Sequence, residues 1–294
     1  MSARIFSLVA LWLLVGLALY FGKIHGAIAL LILFSTAAHY EFCTLLSRSG
    51  GRPATARSVL LGTATLLWIA WSVLTNVTPP PGGWSIVVLP GLLAGILTLA
   101  LLLISPAKLT KLYTTAPTAL SWLYIPCSVA PLILLATERW KHGAFGDPSG
   151  VLLVLWIVAI VKFADCGAFL VGTAIGKHKL APTISPAKTW EGCLGALATA
   201  AATGALLAWA FSHFQSELGW TLTKFTPTHA ALFAVLLAAL GIPSDLVESV
   251  FKRKAGVKDS GKTIPGIGGA FDLLDSLLLC SPVAYGVLHF FLLK

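Results

Sequence analysis

Between Ser244 and Ser276 the chain holds five carboxylates (Asp245, Glu248, Asp259, Asp272, Asp275) and five cations (Lys252, Arg253, Lys254, Lys258, Lys262), flanked by two long apolar runs. A charge at bilayer depth costs ~2.5–3.5 kcal/mol on insertion scales, so charges gathered between such runs mark a functional site. Asp245, Glu248, Ser249 and Lys252 recur at i, i+3, i+4 and i+7, one face of a helix, and Asp272, Asp275 and Ser276 repeat the device on the next helix. From Lys258 to Gly269 the chain has four glycines and one proline, a loop whose backbone can approach a ligand closely. Acidic faces around a basic, glycine-rich loop suit Mg²⁺ with phosphates. Mg²⁺ takes one or two carboxylates and shares phosphate oxygens, while Lys and Arg neutralise the remaining charge.

A second stretch, Lys162 to Gly192, carries Asp165, then Gly172, Gly176, Lys177 and Lys179, then Ser185-Pro186-Ala187-Lys188-Thr189-Trp190-Glu191-Gly192. Glycines, hydroxyls and lysines together are the ingredients of a phosphate cradle. Lys162 and Asp165 are three apart and are expected to neutralise one another.

In order and spacing, the first stretch resembles the signature of the phosphatidate cytidylyltransferases (CDP-diacylglycerol synthases): Ser249, Lys252-Arg253, Lys258-Asp259, Pro265, Gly268-Gly269, Asp272 and Asp275. The family has His where Ile267 stands and Arg where Leu273 stands, two departures that bear on phosphate contacts and substrate choice. The second stretch is similar to the same family through Asp165, Ala168, Phe169, Gly172, Leu180-Ala181-Pro182 and Ser185 to Gly192. The resemblance covers mainly residues 160 to 280. It implies transfer of a cytidylyl group from CTP to phosphatidate. Asp245, Asp272, Asp275, Ser249 and Lys252 are then the catalytic group, and Asp245 and Asp272 are Mg²⁺ ligands. Lys177, Ser185, Lys188, Thr189, Arg253, Lys258, Asp259, Gly268, Gly269 and Asp165 are expected to hold substrate. A second, monovalent cation such as K⁺ and a homodimer belong to the same set of expectations. Open alternatives are another lipid phosphate or nucleotide as substrate, an inactive member of the fold, and an ion-coupled transporter.

The positioning elements are apolar. Of 294 residues, 57% are hydrophobic and 11% charged, the composition of a polytopic membrane protein. Windows long enough to cross a ~30 Å hydrocarbon core fall near 6–22, 26–46, 58–77, 85–105, 117–137, 151–175, 193–212, 229–250 and 269–291. The expected fold is therefore all-α, a polytopic integral membrane protein with about nine transmembrane helices. Residues 1–115 would supply N-terminal helices and 116–294 the catalytic region of one continuous membrane domain. Of the 20 Lys and Arg, 14 fall on one side of this layout and five on the other, with Lys162 inside a span. By the positive-inside rule the N-terminus is cytoplasmic and the C-terminus extracytoplasmic, in a bacterial inner membrane.

The net charge of +9 thus belongs to membrane topology and not to a nucleic-acid partner. The five cysteines are scattered in or beside apolar runs and imply neither disulfides nor zinc. No H-x-x-x-H, G-x-S-x-G or P-loop pattern occurs. Glu41, near the cytoplasmic end of the second span, is expected at headgroup level, and the turn 78–84 with its Trp84 is expected outside.

Overall fold

The computed structural model describes residues 2–51, 53–75, 117–138, 149–218, 226–266 and 268–291. The expected span 85–105, the turn 78–84, Ile267, and Arg52, Lys108, Lys111, Arg139, Lys141, Lys224 and Lys294 of the charge count lie outside these residues.

Eight helices follow in order: α1 (Ser2–Arg48), α2 (Thr55–Leu74), α3 (Pro117–Tyr124), α4 (Pro126–Glu138), α5 (Ser149–Ile175), α6 (Trp190–Leu218), α7 (Pro227–Lys254) and α8 (Ala270–Phe291). A two-stranded antiparallel hairpin, β1 (Lys179–Ala181) and β2 (Ser185–Thr189), sits between α5 and α6. The all-α membrane architecture holds, and among the described residues seven stretches are long and apolar enough to cross a bilayer. The expected spans 6–22 and 26–46 fall within α1. That helix leaves helical geometry at Lys23, with φ 48°, and folds back on itself. A Cβ on Gly26 would lie 1.9 Å from the Ala18 carbonyl oxygen, whereas residues eight apart on a straight helix are ~12 Å apart. Helices α3 and α4 make one crossing, Pro117–Thr137, broken at Ile125 because Pro126 disfavours helical geometry in the residue before it.

With lipid outside, apolar side chains do not need to be buried, and Phe6, Trp12, Leu60, Trp68, Phe169 and Leu194 are all more than half exposed. Association rests instead on close packing of small residues. Gly167 and Gly195 let α5 and α6 meet, and a Cβ on Gly167 would stand 2.1 Å from Thr199 Oγ1 and 2.8 Å from the Gly195 carbonyl. Gly167→Leu is expected to cost about 1–3 kcal/mol through overpacking, read as a lower midpoint of thermal unfolding in detergent. Helix α7 packs on α6 and α8, and α8 on α1, α4 and α5. Where α1, α3, α7 and α8 converge, Phe42 meets Phe251 and Phe271 at ring-centroid distances of 4.9 and 5.3 Å, and Tyr124 at 5.2 Å.

Two local features aim the polar residues. Helix α7 ends in a Schellman motif, Val257 N–H donating to the Lys252 carbonyl at 3.0 Å and Gly256 N–H to Arg253 at 3.1 Å. Gly256 takes the φ of +69° that this motif requires. The motif keeps Lys252, Arg253 and Lys254 in the last turn, at the negative end of the helix dipole. The hairpin, read from sequence only as a cradle, hands over to α6 through Thr189, whose hydroxyl accepts the Gly192 N–H at 3.1 Å.

Candidate active site

Five carboxylates and three lysines form three groups of ion pairs across α5, β2, α7 and α8, brought together where Asp245, Glu248 and Asp275 approach one another. Lys188 Nζ lies 2.7 Å from Asp245 Oδ2. Lys252 Nζ lies 2.7 Å from Glu248 Oε2 and 2.9 Å from Asp272 Oδ1. Lys162 Nζ lies 3.3 Å from Asp165 Oδ2 and 3.5 Å from Asp275 Oδ1. Five acids against three ammonium groups leave a formal charge of −2 in this network. A deficit of that size in a half-buried setting is costly unless a cation or a protonated group compensates it.

The deficit is concentrated on α7 and α8, where Asp245, Glu248 and Asp275 bring ligand-capable oxygens within 4.8 Å of one another. Glu248 is fully buried. Asp275 accepts from its neighbour Ser276, from the backbone N–H at 2.6 Å and the hydroxyl at 3.0 Å. Ser249 is buried one turn beyond Asp245 on α7.

Asp272, expected from the resemblance to ligate metal beside Asp245, is joined to Glu248 of this trio through Lys252, which lies between the two carboxylates. Its carboxylate accepts from Gly269 N–H at 2.7 Å, from Ser260 N–H at 3.0 Å and from Ser260 Oγ at 2.9 Å, besides the Lys252 pair. Gly268, with φ +132°, leaves space only because it lacks a Cβ, which would lie 2.6 Å from Asp272 Oδ2.

The same loop is held from the other side by Glu41. That residue, read from sequence as a headgroup-level carboxylate, is only 5% exposed. It accepts from Ser260 Oγ at 2.9 Å, from Phe271 N–H at 2.9 Å and from the Thr263 hydroxyl. A Cβ on Gly261 or on Gly269 would come within 2.2 Å of a Glu41 oxygen. The N-terminal helices thus reach the site through Glu41 of α1.

Between α5, β2, α6 and α7 lies a cavity of about 280 Å³, lined by Asp165, Ser185, Lys188, Thr189 and Asp245 on its polar side and by Phe169 and other apolar groups elsewhere. The expected substrate residues divide accordingly. Asp165, Ser185, Lys188 and Thr189 are brought together at this cavity, and Gly269 is tied to Asp272. Lys177, Arg253, Lys258 and Asp259 are exposed outside it, with Arg253 Nε donating to the Ile184 carbonyl of the hairpin turn at 3.3 Å.

Lys162 and Asp165 do pair, as their spacing suggests, but the lysine also reaches Asp275, and Ser276 Oγ donates to Asp165 at 3.1 Å. The pair thus neutralises itself within a membrane-spanning helix, and Lys162 has a second carboxylate in reach. Asp165→Asn is therefore expected to lower kcat/KM by less than about tenfold. A loss as deep as that of Asp275→Asn would place Asp165 among the groups that contact substrate.

The chain matches the cytidylyltransferase family over residues 2–291. It is 36% identical over 197 residues to the phosphatidate cytidylyltransferase of Haemophilus influenzae, across 66% of this chain and 65% of that protein. Against the phosphatidate cytidylyltransferase of Synechocystis it is 37% identical over 148 residues, 50% of this chain and 46% of the relative. Against the uncharacterized protein YnbB of Escherichia coli it is 34% identical over 154 residues, 52% and 46%. The matched segments span about half to two thirds of these relatives. Since the family match runs from the first turn of α1 to the last turn of α8, it takes in Glu41, the hairpin and the carboxylate network together, and the chain belongs to the cytidylyltransferase family.

Proposed function

We propose that the protein is a membrane-embedded phosphatidate cytidylyltransferase, joining CTP and phosphatidate to give CDP-diacylglycerol and pyrophosphate. The observation that carries this reading is the carboxylate trio Asp245, Glu248 and Asp275, set beside a cavity lined by Lys188. In the reaction, a phosphate oxygen of the lipid bonds to the α-phosphorus of CTP. The bond from that phosphorus to the bridging oxygen breaks, and its electron pair leaves with pyrophosphate. No covalent enzyme intermediate is needed, so catalysis is positioning and charge neutralisation.

The residues fit Mg²⁺. The ion-pair network is short by two positive charges, and Glu248 Oε1 is buried without a hydrogen-bond partner. Asp245, Glu248 and Asp275 would hold the ion, with Ser249 alongside, and a monovalent cation such as K⁺ belongs to the same reading. When bound, Mg²⁺ supplies charge neutralisation and polarises phosphate oxygens. Lys188 and Lys252, already at the carboxylates, have further N–H donors for CTP phosphates. The exposed Lys177, Arg253 and Lys258 meet the triphosphate from solvent. Phe169 and the apolar cavity wall take the first carbons of the lipid, while the Ser185 and Thr189 hydroxyls fix its headgroup.

The test is transfer from radiolabelled CTP by detergent-purified protein, over a panel of lipid phosphates with Mg²⁺. Labelled CDP-diacylglycerol from phosphatidate is the expected product, and its absence overturns the reading. The charge bias of 14 cations to five supports a cytoplasmic N-terminus and a site at the cytoplasmic face of a bacterial inner membrane. A C-terminal reporter active only in the cytoplasm is accordingly expected to stay silent, and an active one reverses this topology.

A further inference from the structure

Glu41 lies near the end of α1, outside both motif stretches, and a carboxylate buried in a spanning helix is costly unless something in the protein requires it. The donors it meets come from the loop between α7 and α8 and from the first turn of α8. Oε2 accepts from Ser260 Oγ and from Phe271 N–H, each at 2.9 Å, and Oε1 accepts from the Thr263 hydroxyl. Its neighbour Phe42 already packs α1 against Phe251 of α7 and Phe271 of α8. Packing of the helices is thus served by Phe42, and what Glu41 adds is a grip on the loop.

The loop is shaped to receive that carboxylate. Ile264 and Gly268 exchange backbone hydrogen bonds at 2.9 and 3.0 Å, which brings Thr263 and Gly269 to the two sides of one closure, and Glu41 meets both. A Cβ on Gly261 would stand 2.2 Å from Glu41 Oε1, and one on Gly269 would stand 2.2 Å from Oε2. Neither glycine has the positive φ that calls for glycine on backbone grounds, so the space around the carboxylate is what these two positions provide. Gly269, expected from the resemblance to hold substrate, is a seat for Glu41. The contacts also continue inward. Ser260 Oγ stands 2.9 Å from Asp272 Oδ2 as well, Asp272 holds Lys252 at 2.9 Å, and Lys252 holds Glu248 of the trio at 2.7 Å.

We propose that Glu41 is a positioning residue for nucleotide binding: its carboxylate orders the loop 258–269 before CTP arrives, so that Lys258 and the Lys252 side chain are in place for the triphosphate. The inference rests on the reading of the site given above and extends it to the N-terminal helices. A loop that CTP must order for itself lowers apparent affinity by the fraction of time the loop is out of place. A hydrogen bond to a charged group is worth about 10- to 100-fold in such an equilibrium.

The test combines CTP turnover with hydrogen exchange of the full-length protein in detergent without nucleotide. Glu41→Ala is expected to raise KM for CTP about 10- to 100-fold while kcat at saturating CTP changes by less than about threefold. Exchange is expected to quicken in peptides covering 258–271 and to stay unchanged in α5 and α6. Glu41→Gln is expected to keep KM within about threefold of the parent, because its oxygen can take Ser260 and Phe271 while its amide donates to the Thr263 hydroxyl. Should Glu41→Ala fail to fold, Ser260→Ala combined with Thr263→Val removes both hydroxyl donors, leaves α1 intact and carries the same expectations. A parent that transfers nothing from CTP removes the functional reading and this inference with it. An active parent with KM and loop exchange unmoved in the Glu41→Ala or the double variant removes this inference alone. So does a Glu41→Gln variant as impaired as Glu41→Ala, which would make the charge, and not the hydrogen bonds, the feature that counts.

Discussion

Asp275→Asn is expected to lower kcat by about 10²- to 10⁴-fold, the several kcal/mol that charge neutralisation at a metal-assisted phosphoryl centre supplies at 1.36 kcal/mol per decade. The substitution keeps shape and an acceptor oxygen, so the Ser276 N–H at 2.6 Å retains a partner. What disappears is one of the three charges gathered within 4.8 Å. Lys162 loses its 3.5 Å contact but keeps Asp165 at 3.3 Å, which leaves no buried cation stranded. Folding is thus expected to survive, as judged by a single elution peak and an unchanged helical signal. Removal of divalent cation by EDTA is expected to give the same loss in the parent, restored by Mg²⁺. A variant that keeps more than about a tenth of the parent's rate would mean that the trio is not where the transition-state charge is met.

The helix face Asp245, Glu248, Ser249 and Lys252 was legible because a periodicity of 3.6 is local, and the structure keeps all four on α7 near its C-terminal end. Partner choice across helices was not legible. Lys188 meets Asp245 only because β2, packed on α5 and α6, aims it at α7, and the hairpin rests on a few backbone pairs that periodicity does not report. Glu41 had one signal, a carboxylate inside an apolar run. Its donors, however, lie 219 to 230 positions away in the chain. Asp272 and Asp275 were the hardest pair to separate. Three positions apart, they differ by one turn in height and ~60° around the helix, so either could face α7. The structure turns Asp275 to the trio and leaves Asp272 at the helix start. A local cue does exist for the second: Asp272 is the third residue of α8 and accepts the Gly269 N–H at 2.7 Å, the reciprocal half of a capping box.

That placement yields the second large effect. Asp272→Ala is expected to cost about 3–5 kcal/mol, the range for removing one partner of a buried ion pair, and to abolish activity with it. The alanine leaves Lys252 with Glu248 alone and strands the Gly269 and Ser260 N–H groups, all of which now end on Asp272 within 3.0 Å. The Ser260 hydroxyl keeps Glu41 at 2.9 Å, but one anchor then does the work of two on the loop that carries Lys258 and Asp259. Asp272→Asn is expected to behave differently. Its oxygen can take the Gly269 and Ser260 donors, while its amide N–H₂, itself a donor, leaves Lys252 to Glu248 at 2.7 Å. Asparagine should therefore recover most of the stability lost in the alanine variant, and part of the activity. A metal ligand predicts the opposite pattern, with both substitutions equally inactive and neither less stable than the parent, since relieving repulsion between close carboxylates favours the fold. Thermal unfolding of the two variants beside their CTP turnover decides whether Asp272 anchors the loop or, as the family resemblance implies, ligates Mg²⁺.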